Sequence, residues 1–420
     1  MKISVRVVVL SICVWMSGAV AVAQNAEFTE TVQKNRAGIG VKDGKLNGPG
    51  AEMLRPAMAE AQFVLLGEDH GIAQIPDFGA ALCAELAPHG FNHLALEIGP
   101  YAAPELEKFA RGADGAKQFA EFGRKYSGTI AFYNWQEEFG MLQQCEKAAP
   151  QGMKIWGVDQ ELMGSTRFLL EKILATNPGQ EAKTAIQSLL KENDEAYAAA
   201  VKSGSPWDLL MIAAKQEELD HARDLLAKQG NGEAQKLFES LLVSREIYLK
   251  NKTADYYDSN RRRALLMKAN FVAPFSAEFQ QKGAPPKVLF KFGGLHMFRG
   301  INPLHSSELG NLAGEFAEAH GFKSTHILIL GVKGEQLHFA GIGKPSQPGP
   351  MDLTDKDSDF LFLKPLFDAQ VAGSWTLYDL RALRTNFSKY GKIDPEFERV
   401  IFGYDFIVLI PDPKASHNLE

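Results

Sequence analysis

The chain has too few cysteines for a disulfide scaffold or a metal cluster. Its 420 residues carry three, and one of them, Cys13, lies inside the amino-terminal apolar run. No two cysteines have zinc-ligand spacing, which excludes a structural zinc module. The remaining pair, Cys83 and Cys145, falls in predicted helices flanking one sheet and could form one disulfide in an oxidising compartment; the distance between them is not a sequence property. Basic runs are scarce too. Apart from Arg261-Arg262-Arg263 the cations are scattered and the net charge is −6, so no nucleic-acid partner is expected. Beyond the amino terminus no apolar run is long enough to span a bilayer. There is no Gly-x-Ser-x-Gly elbow, Walker loop, dinucleotide fingerprint or His-Glu-x-x-His. Glu218-Leu219-Asp220-His221 has the Glu-x-x-His spacing of di-iron bundles, but the second copy such a site needs is missing, and a solvated helix face is expected.

What is present begins with a localisation signal. Lys2 and Arg6 precede an apolar stretch, Val7 to Val22, that ends in Ala21-Val22-Ala23. A charged start, an apolar core and a small-x-small site predict a signal peptide over 1–23, cut after Ala23, and a periplasmic or secreted protein. The polar, glycine-rich stretch 24–60 is expected to be an irregular lead-in. From there the pattern is βα: strands over Gln62–Gly67, His93–Ile98 and Lys154–Asp159 alternate with helices over Asp77–Ala87 and near Pro104–Arg111, a first α/β half over 61–161. Over 162–270 strand signals vanish, and turn punctuation divides the stretch into roughly four helices, a helical insertion or cap. Strands resume at Lys287–Phe292, His326–Gly331, Trp375–Leu380 and Phe406–Pro411, giving a second α/β half over 271–411 and a polar, frayed tail over 412–420. The fold class is α/β, a mostly parallel central sheet flanked by helices and interrupted by the helical insertion.

Two strand ends share one pattern. Gly67-Glu68-Asp69-His70 follows Phe63-Val64-Leu65-Leu66, and Gly293-Gly294-Leu295-His296 follows Val288-Leu289-Phe290. Strand, glycine turn and histidine, repeated, would bring two imidazoles to the carboxyl edge of one sheet, where ligands collect in such folds. A carboxylate beside an imidazole orients it as a general base or joins it in holding a metal. Glu97 and Asp159 end two further apolar strands, and a buried carboxylate there needs a partner. Tyr256, Asn260, Arg263, Met267 and Asn270 are spaced four, three, four and three, so they share one helix face, from which Arg263 could clamp a carboxylate or an oxyanion.

Taken in order, these pieces resemble the erythromycin esterase-like superfamily, which includes haem-binding uptake lipoproteins and the TIKI/TraB proteins. The resemblance rests on Leu66-Gly67-Glu68-Asp69-His70-Gly71, Leu96-Glu97, Trp156-Gly157-Val158-Asp159, the helix Arg263-Ala264-Leu265-Leu266-Met267-Lys268-Ala269-Asn270, Gly293-Gly294-Leu295-His296 and Tyr404-Asp405-Phe406-Ile407. It spans about 60 to 410. Erythromycin esterases show Gly-Glu-x-x-His-Gly, one residue longer than the run here, and His-Asn where this chain has Gly293-Gly294. Gly-x-x-His at both positions is closer to TIKI/TraB, a metal-dependent protease group.

The residues and the resemblance together lead to a hydrolase of an ester, lactone or amide bond, acting on a small molecule or peptide. His70 would be the base, oriented by Glu68 or Glu97, with His296 and Arg263 polarising the substrate. Asp69, Asp159, Tyr256, Asn260, Met267 and Asn270 would line the substrate site. In a variant of this reading a divalent metal sits between His70, Glu97 and His296. The alternative is a non-catalytic haem- or iron-binding protein, with Tyr256, Tyr257 or His296 as axial ligand.

Overall fold

The computed structural model describes residues 26–385 and 387–419, so the expected signal peptide lies outside the described residues. Eleven strands occur along them: β1 (Arg36–Lys42), β2 (Lys45–Asn47), β3 (Ala61–Glu68), β4 (Phe91–Leu96), β5 (Lys154–Gly157), β6 (Lys287–Gly293), β7 (Lys323–Gly331), β8 (Lys333–His338), β9 (Gln347–Asp352), β10 (Trp375–Asp379) and β11 (Phe406–Ile410). Nine of them form one sheet in the order β2-β1-β10-β11-β7-β3-β6-β4-β5, and β8 and β9 pair separately as an antiparallel ribbon. From β11 to β5 every pairing is parallel, while β10, β1 and β2 extend the other edge antiparallel. The α/β architecture with a mostly parallel sheet is therefore present. Burial explains the pattern: β3 is buried at every position and β11 likewise, as strands covered by helices on both faces must be.

The chain reverses its direction of travel across the sheet at β3. It moves outward through β4 to β5, returns to insert β6 between β3 and β4, and then builds β7 and β11 on the other side of β3. The crevice at such a switch point lies above the carboxyl ends of β3, β6, β4 and β5.

Two helical layers fix what projects into that crevice. On one face the 27-residue helix Tyr256–Lys282 packs through Phe271 and Phe275 against Phe63 of β3, and through Phe271 against Phe290 of β6, with ring centroids 5.0–5.7 Å apart. Such contacts are worth roughly 0.5–1.5 kcal/mol each beyond their buried area, and they set the helix's register on the sheet. Its start is capped by Asp255, whose side chain accepts from the Asp258 N–H, and it stops at Gly283 in the left-handed conformation. On the other face the helices Gln74–Leu86 and Gln136–Ala148 are joined by a disulfide between Cys83 and Cys145, with Cα atoms 5.1 Å apart.

Three expected boundaries are corrected. The stretch 26–60 is not irregular: it holds the helix Ala26–Lys34, the strands β1 and β2 at one end of the sheet, and the helix Pro49–Ala59. Such strands escape a search for apolar runs because they are half-exposed; in β1 only Ile39 is buried. The insertion between β5 and β6 contains the helices Thr166–Ala175, Gln180–Ser203, Leu210–Ala213, Gln216–Lys228 and Gly232–Lys252, and its last helix runs past 270 to Lys282 despite Pro274. The tail is not frayed. Ala415 bridges to Ile72, Asn418 bridges to Trp135, and Ser416 is buried. Among the described residues no helix is long and apolar enough to cross a membrane.

Candidate active site

Register brings the two glycine–histidine turns together. Glu68, the last residue of β3, pairs with Gly293, the last of β6. A side chain at Gly67 would strike the Tyr404 hydroxyl at 2.5 Å and the Gly294 Cα at 3.0 Å, so glycine there lets the two strand ends approach. The same hydroxyl donates to the Gly294 carbonyl and fixes the second turn.

The side chains above these strands form a continuous chain in which carboxylates alternate with imidazoles and a guanidinium. His70 Nδ1 lies 2.8 Å from Glu68 Oε1, and His70 Nε2 lies 3.5 Å from Glu97 Oε2. Glu97 sits just beyond β4 and accepts from the Gly293 N–H at 2.6 Å and from Arg263 Nη2 at 2.8 Å. Arg263 also donates to both oxygens of Asp159, through Nε at 2.9 Å and Nη2 at 2.5 Å. His296 Nε2 is 3.5 Å from the other Glu97 oxygen, and its Nδ1 is 3.1 Å from Glu308. Sequence reasoning expected all of these residues at the site except Glu308, and the structure brings them together.

Ions taken out of water cost several kcal/mol each unless they are paired, so the pairing decides every charge state here. Burial opposes a charge on His70, but its pairing with the carboxylates of Glu68 and Glu97 outweighs that and pushes it up to about 10. Burial alone would raise Glu97; His296, His70 and Arg263 around it hold it well below the usual carboxylate range. The resting site therefore holds an imidazolium clamped between carboxylates. His70 remains 23% exposed and Arg263 likewise, so both can be approached from the cleft.

Several residues at the site left little trace in the sequence. Lys291, two positions before the end of β6, is buried with its Nζ 2.6 Å from Glu68 and 2.8 Å from Glu138. A lysine inside Val288-Leu289-Phe290-Lys291-Phe292 was the available signal. Burial and the neighbouring Glu68 work against Lys291 to push Glu138 up to about 7. Phe132 stacks on the His70 ring, with centroids 3.8 Å apart and planes 11° from parallel. It does so at φ 62, a conformation that a bulky residue holds only when its surroundings impose it. Gln336 of β8 donates to Asp69 at 2.8 Å and to the His70 carbonyl at 2.7 Å.

The remaining expected residues divide. Asp69, raised by burial, is the partner of Gln336, and Asp159 is the partner of Arg263. Asn270 donates to the carbonyls of Val158 and Asp159 and so holds the end of β5 in place. Met267 is fully buried in the hydrophobic core and cannot line a substrate site. It shares a helix face with Arg263, yet one turn further along that face passes below the sheet edge. Asn260 and the exposed Tyr256 lie in the opposite direction, beyond the edge.

These groups do not fit a divalent metal. Among the described residues no group of three or more His, Cys, Asp or Glu is arranged to hold one. Glu97, which would bridge the ligands, already accepts from a backbone N–H on one oxygen and from a guanidinium on the other. An open haem ligand is also lacking at His296, whose two ring nitrogens face Glu97 and Glu308 while the residue is 7% exposed.

No family model and no curated protein matches the sequence. Solved structures do match. A mutant of the erythromycin esterase EreC in its open conformation superimposes with a TM-score of 0.61 at 16% identity, covering 92% of this chain and 99% of that one. The chain has the fold of an erythromycin esterase. A protein from Bacillus cereus shares this fold, with a TM-score of 0.57 at 15% identity over 94% of this chain and 98% of that one. So does a succinoglycan biosynthesis protein, with a TM-score of 0.56 at 15% identity over 93% and 98%. At these identities the erythromycin esterase-like fold is shared, and the chemistry must be argued from the residues.

Proposed function

We propose that the protein is an exported hydrolase of ester, lactone or amide bonds in small molecules. The observation that carries the reading is the His70 imidazole: Glu68 holds its Nδ1, and its partly exposed ring faces with Nε2 the Glu97 carboxylate that Arg263 also holds. The similarity in fold to an erythromycin esterase supports it.

The resting imidazolium cannot act as a base, so the substrate has to change its surroundings. At 3.5 Å the Nε2···Glu97 contact is longer than a good hydrogen bond. A substrate carbonyl and a water entering there separate the pair and leave Glu68 as the one carboxylate on His70. Relieved of one carboxylate, the imidazolium gives its Nε2 proton to bulk water, and the neutral imidazole then takes a proton from the attacking water at Nε2 as that water's oxygen bonds to the acyl carbon. Glu68 stabilises the imidazolium that forms. Arg263 meets the developing oxyanion: its Nε and Nη2 are held by Asp159 and Glu97, and Nη1 takes no part in those bonds. When the tetrahedral intermediate collapses, the acyl–heteroatom bond breaks and His70 returns its proton to the leaving alkoxide or amine. His296 lies against Glu97 and keeps that carboxylate oriented.

Export is part of the proposal. It rests on the signal-peptide pattern over 1–23, and the Cys83–Cys145 bond supports it, since disulfides persist in oxidising compartments. The test is proton release in a pH-stat from a panel of neutral esters and lactones, with amine release followed for amides, comparing the purified mature protein with its Arg263→Ala variant. Turnover that falls in the variant supports the reading; turnover equal in both removes Arg263 from the mechanism.

A further inference from the structure

Glu138 and Lys291 play no part in the hydrolytic steps, yet both place ionisable groups in the core. They are buried, at 1% and 2% exposure, between the sheet and the helix Gln136–Ala148. A lysine in a central strand with apolar neighbours is tolerated only when its charge is answered. Two carboxylates answer it, through Glu68 Oε1 at 2.6 Å and Glu138 Oε1 at 2.8 Å. The remaining oxygen of each carboxylate is buried without a hydrogen-bond partner. Nothing in this arrangement optimises stability, since three apolar residues would fill the space at lower cost.

The location gives the arrangement its sense. Glu68 Oε1 is the atom that meets His70 Nδ1, and the same oxygen takes the Lys291 ammonium. We propose that Glu138 and Lys291 are positioning residues for the hydrolytic site, acting through Glu68 to fix the rotamer and charge of the carboxylate that holds His70. Lys291 keeps Glu68 ionised and turned toward the imidazole. Glu138 anchors the other side of the ammonium, so Lys291 is shared and cannot draw Glu68 away from His70. The pair is itself held from outside. Glu138, Met141 and Cys145 are spaced on one face of their helix, and the Cys83–Cys145 bond ties that helix to the one that follows the His70 turn. Tyr133 closes the remaining side, with the Lys291 Nζ 5.7 Å from its ring centroid.

This inference rests on the hydrolase reading, and the test separates the two. Glu138→Gln keeps the shape and removes one charge; Lys291→Gln removes the ammonium. The first readout is the imidazole of His70 in 15N-histidine-labelled full-length mature protein, followed by its Nδ1 proton and 15N shifts, which need no substrate. In Glu138→Gln the Nδ1 resonance moves, and the pH at which His70 titrates falls by half a unit or more, because a negative charge one ion pair away is gone. The second readout is turnover: kcat falls about tenfold at unchanged KM and its pH profile moves the same way, which a loss of fold alone would not produce. A folded Glu138→Gln protein with an unchanged His70 spectrum and pH profile overturns the proposal, whether or not Lys291→Gln folds. A shifted spectrum in a protein that hydrolyses nothing would keep the positioning role and remove the hydrolase.

Discussion

Glu68 and Gly293 are register partners on adjacent parallel strands, and each is followed within three residues by a histidine that faces Glu97. The sequence separates these turns by the whole helical insertion; the insertion of β6 beside β3 removes that distance. A carboxylate contacted by two imidazoles, a guanidinium and a backbone N–H is the centre of the site.

Gly293 is the first place to test that geometry. A Cβ there would stand 3.1 Å from His70 Nε2 and 3.4 Å from Glu97 Oε2, while the backbone φ of −54 is open to any residue. Gly293→Ala should fold with an unchanged circular dichroism spectrum and lose up to about a hundredfold in kcat, the cost of a misplaced reacting group. An active Gly293→Ala would place the reaction elsewhere.

Arg263→Ala removes the counter-charge of two buried carboxylates as well as a donor for the oxyanion. Breaking a buried pair from one side typically costs about 3–5 kcal/mol, and losing an oxyanion donor costs about a hundredfold or more in kcat. Urea unfolding and steady-state kinetics on one preparation check both. Arg263→Lys should recover part of the stability and little of the rate, since an ammonium cannot span Glu97 and Asp159 in the same fork.

The pH dependence follows from His70. Its titration is pushed up to about 10 in the folded protein, against an ordinary imidazole value of about 6.5 when unfolded. The stability this pairing contributes is therefore complete below about pH 6.5 and is lost as pH rises toward 10. The free enzyme's base, by contrast, is the neutral form, so kcat/KM should climb about tenfold per pH unit from neutrality into the alkaline range. Denaturation midpoints and kcat/KM measured from pH 6 to 10 should run in opposite directions. A rate plateau beginning near pH 7 would contradict the clamp.

The carboxyl-terminal tail secures the turn that carries His70. Ser416 donates to the Gly71 carbonyl at 2.9 Å, Ala73 donates to the Lys414 carbonyl at 2.8 Å, and Leu419 donates to the Asn134 carbonyl beside the Phe132 loop at 3.0 Å. Deleting 412–420 should leave the sheet intact, speed hydrogen exchange at the Ala73 amide, and lower turnover. Unchanged exchange there would show that the β8 contacts hold the turn alone.

The sequence was readable where burial writes a strong signal. The parallel strands announced themselves as apolar runs because helices cover both their faces, and the residues ending them marked the crevice. Glu68, His70, Glu97, Asp159 and His296 were singled out that way, and Arg263 by the spacing of one helix face. Elements that depend on pairing, not on their own composition, were hidden: half-exposed β1, three-residue β2, and a polar tail that is ordered by backbone hydrogen bonds. Met267 misled because a helix face that is polar above the sheet edge becomes core one turn below it. Glu138 and Phe132 were illegible for another reason. Each acts on a residue far away in the chain, and no local pattern records such a contact.

The central claim is that His70 is the base of a hydrolase, and His70→Ala tests it most directly. Turnover of the best ester or lactone substrate should be measured for the wild-type and variant proteins at pH 9, with circular dichroism confirming that both are folded. The account predicts that turnover by the variant falls about a thousandfold or more, within the range expected for loss of a general base. A folded His70→Ala protein that still hydrolyses the substrate at the wild-type rate would contradict it.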